Sequence, residues 1–183
     1  LPDGVLQVLP GAGSEAGNAL ATHPLVRKIG FTGSTEVGAT IMKLAADDIK
    51  RVSLELGGKS PNIVFADADW QRAAAESPMS VFANTGQDCC ARSRMFIEQS
   101  IFDGFVDQFV AATESLKIGD PMDEATQVGP MVSAAQRELS ESYIAGARDA
   151  GREIRTGCDR PSGGGFYLNP AVVTGVETGD RAW

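Results

Sequence analysis

Histidine is nearly absent: His23 is the only one among 183 residues. That removes most routes to a Ser-His-Asp triad or a Cys-His dyad. Cysteine is scarce and odd in number, with only Cys89, Cys90 and Cys158. Adjacent cysteines do not easily bridge each other. No disulfide framework is therefore expected, and a reducing cytoplasm is the expected compartment. No Cys-x-x-Cys or His-rich pattern exists, so no metal site is expected. Basic residues are outnumbered, 16 Lys and Arg against 24 Asp and Glu, for a net charge of −8. Nucleic acid needs a basic footprint and is not an expected partner. There is no run of about 18 apolar residues, so no membrane span is expected. The chain begins with Leu1, and Leu1 to Pro10 lacks the basic start of a signal peptide.

Hydrophobic residues make up 43% and charged residues 22%, enough for one respectable core. Strand-like and helix-like segments alternate. Residues 5–9 read as a strand closed by Pro10-Gly11-Ala12-Gly13, and 14–21 as a short helix. A strand is expected over 26–31. A helix capped by Ser34 runs to about Ala46, and a strand covers 51–56. Residues 1–56 thus read β-α-β-α-β, which implies parallel strands with crossover helices. Beyond Gly57-Gly58, a buried strand is expected over 62–65 and a helix over 70–83 that Pro78 should bend or break. A strand over 95–98 and an amphipathic helix over 101–116 follow, the latter with Phe102, Phe105, Val106, Phe109 and Val110 on one face. After a loop over 118–131 come a helix over 133–150 and strands over 153–156 and 170–174. The glycine pair tolerates the backbone swing of a hinge, so domains 1–57 and 58–183 are expected.

Three segments carry chemistry. In Phe31-Thr32-Gly33-Ser34-Thr35-Glu36-Val37-Gly38 a strand ends, a glycine turns and a capped helix begins. Read alone, this is either a plain N-cap or a helix start whose free N–H groups face a phosphate. Glu55, between Leu54 and Leu56, is either a strand-end carboxylate paired with Lys59 or Arg51, or a carboxylate in an apolar setting whose raised pKa suits general-base work. Cys89, in Gly86-Gln87-Asp88-Cys89-Cys90-Ala91-Arg92-Ser93-Arg94, is either a buried structural cysteine or a nucleophile in a polar turn. As a nucleophile it needs a site that favours thiolate. Asp88 would oppose this by raising its pKa.

Together these segments resemble the aldehyde dehydrogenase superfamily. The stretch Leu54-Glu55-Leu56-Gly57-Gly58-Lys59-Ser60-Pro61 is similar to the family's glutamate signature, and Gly86 to Arg94 holds its G-Q-x-C-x-A-x-S-R cysteine motif. The 34 positions from Glu55 to Cys89 equal the family's spacing, which singles out Cys89 over Cys90. The resemblance implies an α/β fold: the C-terminal part of a Rossmann-like, parallel-sheet cofactor domain followed by an α/β catalytic domain, truncated at both ends. It implies oxidation of an aldehyde to a carboxylic acid with NAD or NADP through a cysteine thiohemiacetal and thioester. Cys89 would be the nucleophile, its N–H an oxyanion donor, and Glu55 the base that activates water. Cofactor contacts would come from Ser34 at the pyrophosphate and Val37 beside the adenine, with Gly33 allowing close approach and Gly38 close packing. Gly13 and Gly17 would lie beside the adenosine half, and Leu56 and Gly57 near the nicotinamide. The whole protein would be a homo-oligomer, dimer or tetramer. Alternatives are a coenzyme A-acylating relative, against which Glu55 argues, and a non-catalytic fragment on the same fold. The family's second oxyanion donor, an asparagine, and its ribose-binding residues have no counterpart here. Losing one such donor typically costs about 10²–10³ in rate, so these 183 residues alone are expected to be inactive.

The motif makes one chemical forecast. In the whole protein, limiting iodoacetamide should alkylate Cys89 ahead of Cys90 and Cys158, as mapped by peptide mass spectrometry; preferential labelling of either of the others contradicts the assignment.

Overall fold

A computed structural model describes residues 1–183. The chain divides into two compact units, Leu1–Gly57 and Gly58–Trp183. The architecture is α/β, with two parallel strand pairs and one antiparallel pair.

In the first unit, a helical turn over Gly13–Gly17 leads into α1 (Asn18–Thr22). Strand β1 (Lys28–Thr32), helix α2 (Thr35–Ala46) and strand β2 (Arg51–Glu55) follow. β1 and β2 pair in parallel, from Lys28 opposite Arg51 to Thr32 opposite Glu55. Parallel strands need a crossover, and α2 provides it. Ser34 starts that helix as expected: its Oγ accepts from the Val37 N–H at 3.2 Å. Lys50, 9% exposed, closes the connection to β2 by donating to Asp48 Oδ2 and the His23 carbonyl, each at 2.7 Å.

The strand expected over residues 5–9 does not form. Val5, Leu6, Val8 and Leu9 are exposed, and the local bonds are a Val5 N–H to Pro2 carbonyl turn and a Gln7 side chain on Gly4. Apolar patterning makes a strand only where a neighbour supplies a ladder, and no strand of the chain pairs with these residues. The β-α-β-α-β pattern over 1–56 is therefore reduced to the β1-α2-β2 core, preceded by α1.

The second unit begins with β3 (Pro61–Val64), then α3 (Trp70–Phe82), β4 (Arg94–Ile97) and α4 (Phe102–Glu114). β3 and β4 pair in parallel, Pro61 opposite Arg94 through Val64 opposite Ile97. Val64, Ala74, Phe105 and Phe109 form the core, with Trp70, Val81, Phe82, Met95 and Ile97 against it. Phe105 and Phe109, one helical turn apart, stack with centroids 6.1 Å apart. The buried strand expected over 62–65 instead ends at Val64 and alternates: Val64 is buried while Ile63 is exposed, because a strand covered on one face turns every second side chain outward.

Pro78 does not break α3. It lies fully buried inside the helix, where its packing offsets the backbone bond that its ring removes. The helix ends instead at Phe82, with Ala83 as its extended C-cap, and Asn84 and Thr85 follow with left-handed φ values of 51° and 61°. After the expected loop, in which Ile118 bridges Val128, helix α5 (Ala134–Asp149) starts at Ser133, whose Oγ accepts from Gln136 N–H. β5 (Glu153–Thr156) and β6 (Val172–Thr174) close the unit as an antiparallel pair.

Phe105 is 1% exposed and Ile63 59%. Phe105→Ala should cost about 3–5 kcal/mol, and Ile63→Ala less than about 1 kcal/mol. Urea unfolding measures both, and equal losses would contradict this account of the core.

Candidate active site

The cysteine turn is built locally. The Ala91 N–H donates to the Asp88 carbonyl at 3.1 Å, which closes a four-residue turn with Cys89 and Cys90 at its two central positions. The Cys90 N–H donates to Asp88 Oδ1 at 3.0 Å, the side-chain bond that makes aspartate a good first turn residue. Neither bond uses the Cys89 N–H. Ala91 is buried and anchors the turn, while Cys89 and Cys90 stand exposed. The buried structural role for Cys89 is thereby removed.

Bonds on both sides hold this turn in place. Thr85 Oγ1 donates to the Gly129 and Pro130 carbonyls at 3.3 and 3.4 Å. Gln87 Oε1 accepts from the Val132 N–H at 3.1 Å, and Asn84 Nδ2 donates to the Gln87 carbonyl at 2.9 Å. The Arg92 N–H returns to the Ser80 carbonyl at 3.2 Å. Three consecutive left-handed residues, Asn84, Thr85 and Gly86, swing the chain out of α3 to reach these partners. Two of the three are not glycine, so their backbone strain must be offset by the bonds around them.

Parallel pairing of β3 and β4 brings the segment before β3 to the same end. Arg94 Nε donates to the Lys59 carbonyl at 2.9 Å. A Cβ on Gly58 would lie 3.1 Å from the Cys89 carbonyl oxygen, so glycine there lets the two backbones approach. Lys59 donates to the Ala182 carbonyl. Burial, then the Arg94 charge, pushes its pKa down.

The electrostatics correct one expectation. The Cys89 thiol is pushed above its ordinary value, first by the hydrogen bond with the Cys90 thiol, then by the Cys90 charge, local burial and Asp88. The two sulfurs lie 3.7 Å apart. A thiol that shares its proton with a neighbour gives it up less readily, so these 183 residues do not themselves favour the thiolate. Cys158 is raised too, chiefly by burial.

In the first unit, the predicted residues fall into two groups. Gly33, Ser34, Val37, Gly38, Glu55 and Leu56 come together. The Gly33 N–H donates to the Glu55 carbonyl at 3.0 Å, which ties the turn after β1 to the end of β2. Gly38 is buried, and a Cβ there would strike Leu56 Cδ2 at 2.7 Å. Ser34 caps α2, and Val37 is 46% exposed in its first turn. Gly13, Gly17 and Gly57 are exposed with open space where a Cβ would stand. The Glu55 side chain is exposed, not in the apolar setting expected from Leu54 and Leu56. Along β2 exposure alternates, and Val52 and Leu54 take the covered face while Glu55 takes the other.

Sequence reasoning missed Asn84, Thr85, Gly58 and the 129–132 loop. The signal for the first two was Asn-Thr-Gly after a helical run, a left-handed helix exit. The loop contacts are long-range and leave no local trace.

An α/β chain with an exposed, tightly held Cys turn and a capped helix after a parallel strand matches known proteins throughout. The aldehyde dehydrogenase family model matches residues 1–183, and the chain belongs to that family. Peroxisomal aminoaldehyde dehydrogenase 2 of Malus domestica is 44% identical over 185 residues, covering 100% of this chain and 37% of that protein. Among solved structures, an NAD-dependent aldehyde dehydrogenase from Sinorhizobium meliloti superposes with a TM-score of 0.96 at 39% identity, over 100% of this chain and 36% of its own. A betaine aldehyde dehydrogenase from Staphylococcus aureus, solved with NAD+, gives 0.90 at 37% identity, over 94% and 35%. The chain thus spans a little over a third of the length of the relatives it matches. No helix is long and apolar enough to cross a membrane.

The raised Cys89 pKa gives a signed forecast. A thiol reacts as thiolate, so alkylation rises with pH through its pKa. Cys90→Ala removes the first and second causes of the upward shift. The alkylation profile of Cys89 should move to lower pH; an unchanged or higher midpoint would contradict the assigned cause.

Proposed function

We propose that the protein to which these residues belong oxidises an aldehyde to a carboxylic acid with NAD or NADP, with Cys89 as nucleophile and Glu55 as base. The observation that carries this is the exposed Cys89, fixed by bonds on both sides within a chain of this family. Residues 1–57 serve in it as part of the cofactor domain and 58–183 as part of the catalytic domain.

The first unit fits a dinucleotide. The first N–H groups of a helix lack intrahelical partners. In α2 they follow Gly33 at an exposed strand end, where a phosphate is favoured. Glu36 in the same turn is a competing negative charge. Ser34 and Gly33 would hold the pyrophosphate and Val37 would flank the adenine. Gly38 keeps α2 against Leu56, and Leu56 and Gly57 would border the nicotinamide. Gly13 and Gly17 would border the adenosine half. When bound, the cofactor supplies a hydride acceptor.

The protein's own steps follow from the site. Cys89 Sγ, once deprotonated, bonds to the aldehyde carbon, and the carbonyl oxygen becomes an oxyanion. The Cys89 N–H, unused by the turn, donates to that oxyanion. Loss of hydride leaves an acyl thioester on Sγ. The Glu55 carboxylate takes a proton from water, the resulting hydroxide attacks the acyl carbon, and the C–S bond breaks. The carboxylic acid leaves, and the Cys89 thiolate takes the proton from Glu55, which restores both groups. Because these residues raise the Cys89 pKa, deprotonation depends on the bound cationic nicotinamide or on Glu55.

The substrate is a small-molecule aldehyde; amino- and betaine aldehydes are named for relatives. Three free cysteines support a reducing compartment, the cytoplasm. The whole protein is expected to be a homo-oligomer, dimer or tetramer, on the resemblance alone.

Glu55→Gln in the whole protein tests the roles. A pre-steady-state burst of reduced cofactor should survive while steady turnover falls by about 10²–10⁴. If burst and turnover fall together, Glu55 instead activates Cys89.

A further inference from the structure

Asp88, Cys89 and Cys90 each offer one ligand atom, and these atoms lie within 4.8 Å of one another. All three residues are exposed. The two sulfurs are 3.7 Å apart. A zinc-class ion binds thiolates at about 2.3 Å in tetrahedral geometry. An ion at that distance from both sulfurs subtends an S–metal–S angle of about 107°, against about 109° for a tetrahedron. A disulfide, by contrast, would require the sulfurs to close to about 2.0 Å. The spacing therefore suits a shared ion without movement of the turn.

The third donor lies in the same turn, near enough for a side-chain rotation to bring a carboxylate oxygen to the ion. Asp88 Oδ1 accepts the Cys90 N–H, which keeps the carboxylate beside the thiols and leaves Oδ2 unengaged by that bond. Two sulfurs and one oxygen with water in the fourth position is an open, three-ligand arrangement. Oxygen-preferring cations such as magnesium or calcium are disfavoured by two soft donors. Cys158, in the 157–158 turn after β5, is not part of the cluster.

We propose that the Asp88-Cys89-Cys90 turn is a binding site for a thiophilic divalent cation of the zinc class, which chelates both thiols and so reversibly silences Cys89. Binding releases the thiol protons to water, forms two metal–sulfur bonds and changes no oxidation state. Cys90 and Asp88 thereby acquire a role: they convert a single reactive thiol into a chelate. The binding claim stands on the turn geometry alone. Only the consequence for catalysis rests on Cys89 being the nucleophile.

The test uses the whole protein to which these residues belong, with cadmium and zinc as probes. Cadmium titration followed by thiolate-to-metal absorption should saturate at one ion per chain with two sulfurs bound. Cys90→Ser should weaken binding at least tenfold and halve the absorption per ion. Asp88→Asn should weaken it severalfold and keep the absorption, and Cys158→Ser should change neither. Saturating zinc should slow alkylation of Cys89 at least tenfold and leave that of Cys158 unchanged. Wild-type affinity in Cys90→Ser, loss of binding in Cys158→Ser, or one ion shared between two chains by sedimentation would each overturn the proposal. These readouts are independent of dehydrogenase activity. A negative result leaves the proposed reaction untouched, and an inactive enzyme leaves the metal site untouched.

Discussion

Parallel pairing of β3 with β4 is the constraint on which the candidate site depends. It sets both strand starts at one end of the second unit, Pro61 opposite Arg94. The residues leading into the two strands must therefore meet there. On one side is Gly58-Lys59-Ser60; on the other is the Cys89 turn. The Ser60 carbonyl accepts from Arg94 N–H, the Lys59 carbonyl from Arg94 Nε, and Gly58 lies against the Cys89 carbonyl. The fold thus brings Gly58-Lys59-Ser60 into contact with the Cys89 turn and the start of β4, although a whole helix separates them in sequence. In the first unit the same kind of pairing, β1 with β2, joins Gly33 to Glu55.

A nucleophile needs exposure and a fixed position at once, and these demands conflict. An exposed turn is ordinarily mobile. Here the turn is closed by Asp88 and anchored by buried Ala91. It is then tied outward through Thr85 and Gln87 to the 129–132 loop. The left-handed exit from α3 is the cost of reaching those partners. Position is therefore preset, while ionisation is not: the neighbouring thiol raises the Cys89 pKa. A protonated thiol is also less open to stray chemistry, since thiolate is the reactive form.

What was legible in the sequence is what is local. Ser34 and Ser133 announce their helices because a cap bond spans three residues. The apolar face of α4 follows from its spacing, and Phe105, Val106 and Phe109 are buried accordingly. What was not legible depends on partners distant in the chain. Residues 5–9 have the composition of a strand and no ladder. Glu55 sits between two leucines, yet alternation sends its side chain to the uncovered face. Pro78 carries a local penalty that the core around it outweighs. Asn84 is a common left-handed residue, but Thr85 beside it is not, and the bonds that hold Thr85 there come from the 129–132 loop. The cysteine turn was visible as a motif, but the bonds that hold it were not.

The central claim is that Cys89 carries the acyl group. The most direct measurement is to mix the whole protein with an aldehyde substrate and NAD+ or NADP+ in turn, quench in acid within a turnover, and map the acyl mass by peptide mass spectrometry. Cys89 and Cys90 share a peptide, so fragmentation must separate them. The account predicts an acid-stable, hydroxylamine-labile acyl group on Cys89 that requires the oxidised cofactor, NAD+ or NADP+. An acyl group on Cys90 or Cys158, or turnover with no acylated cysteine at any quench time, would contradict it.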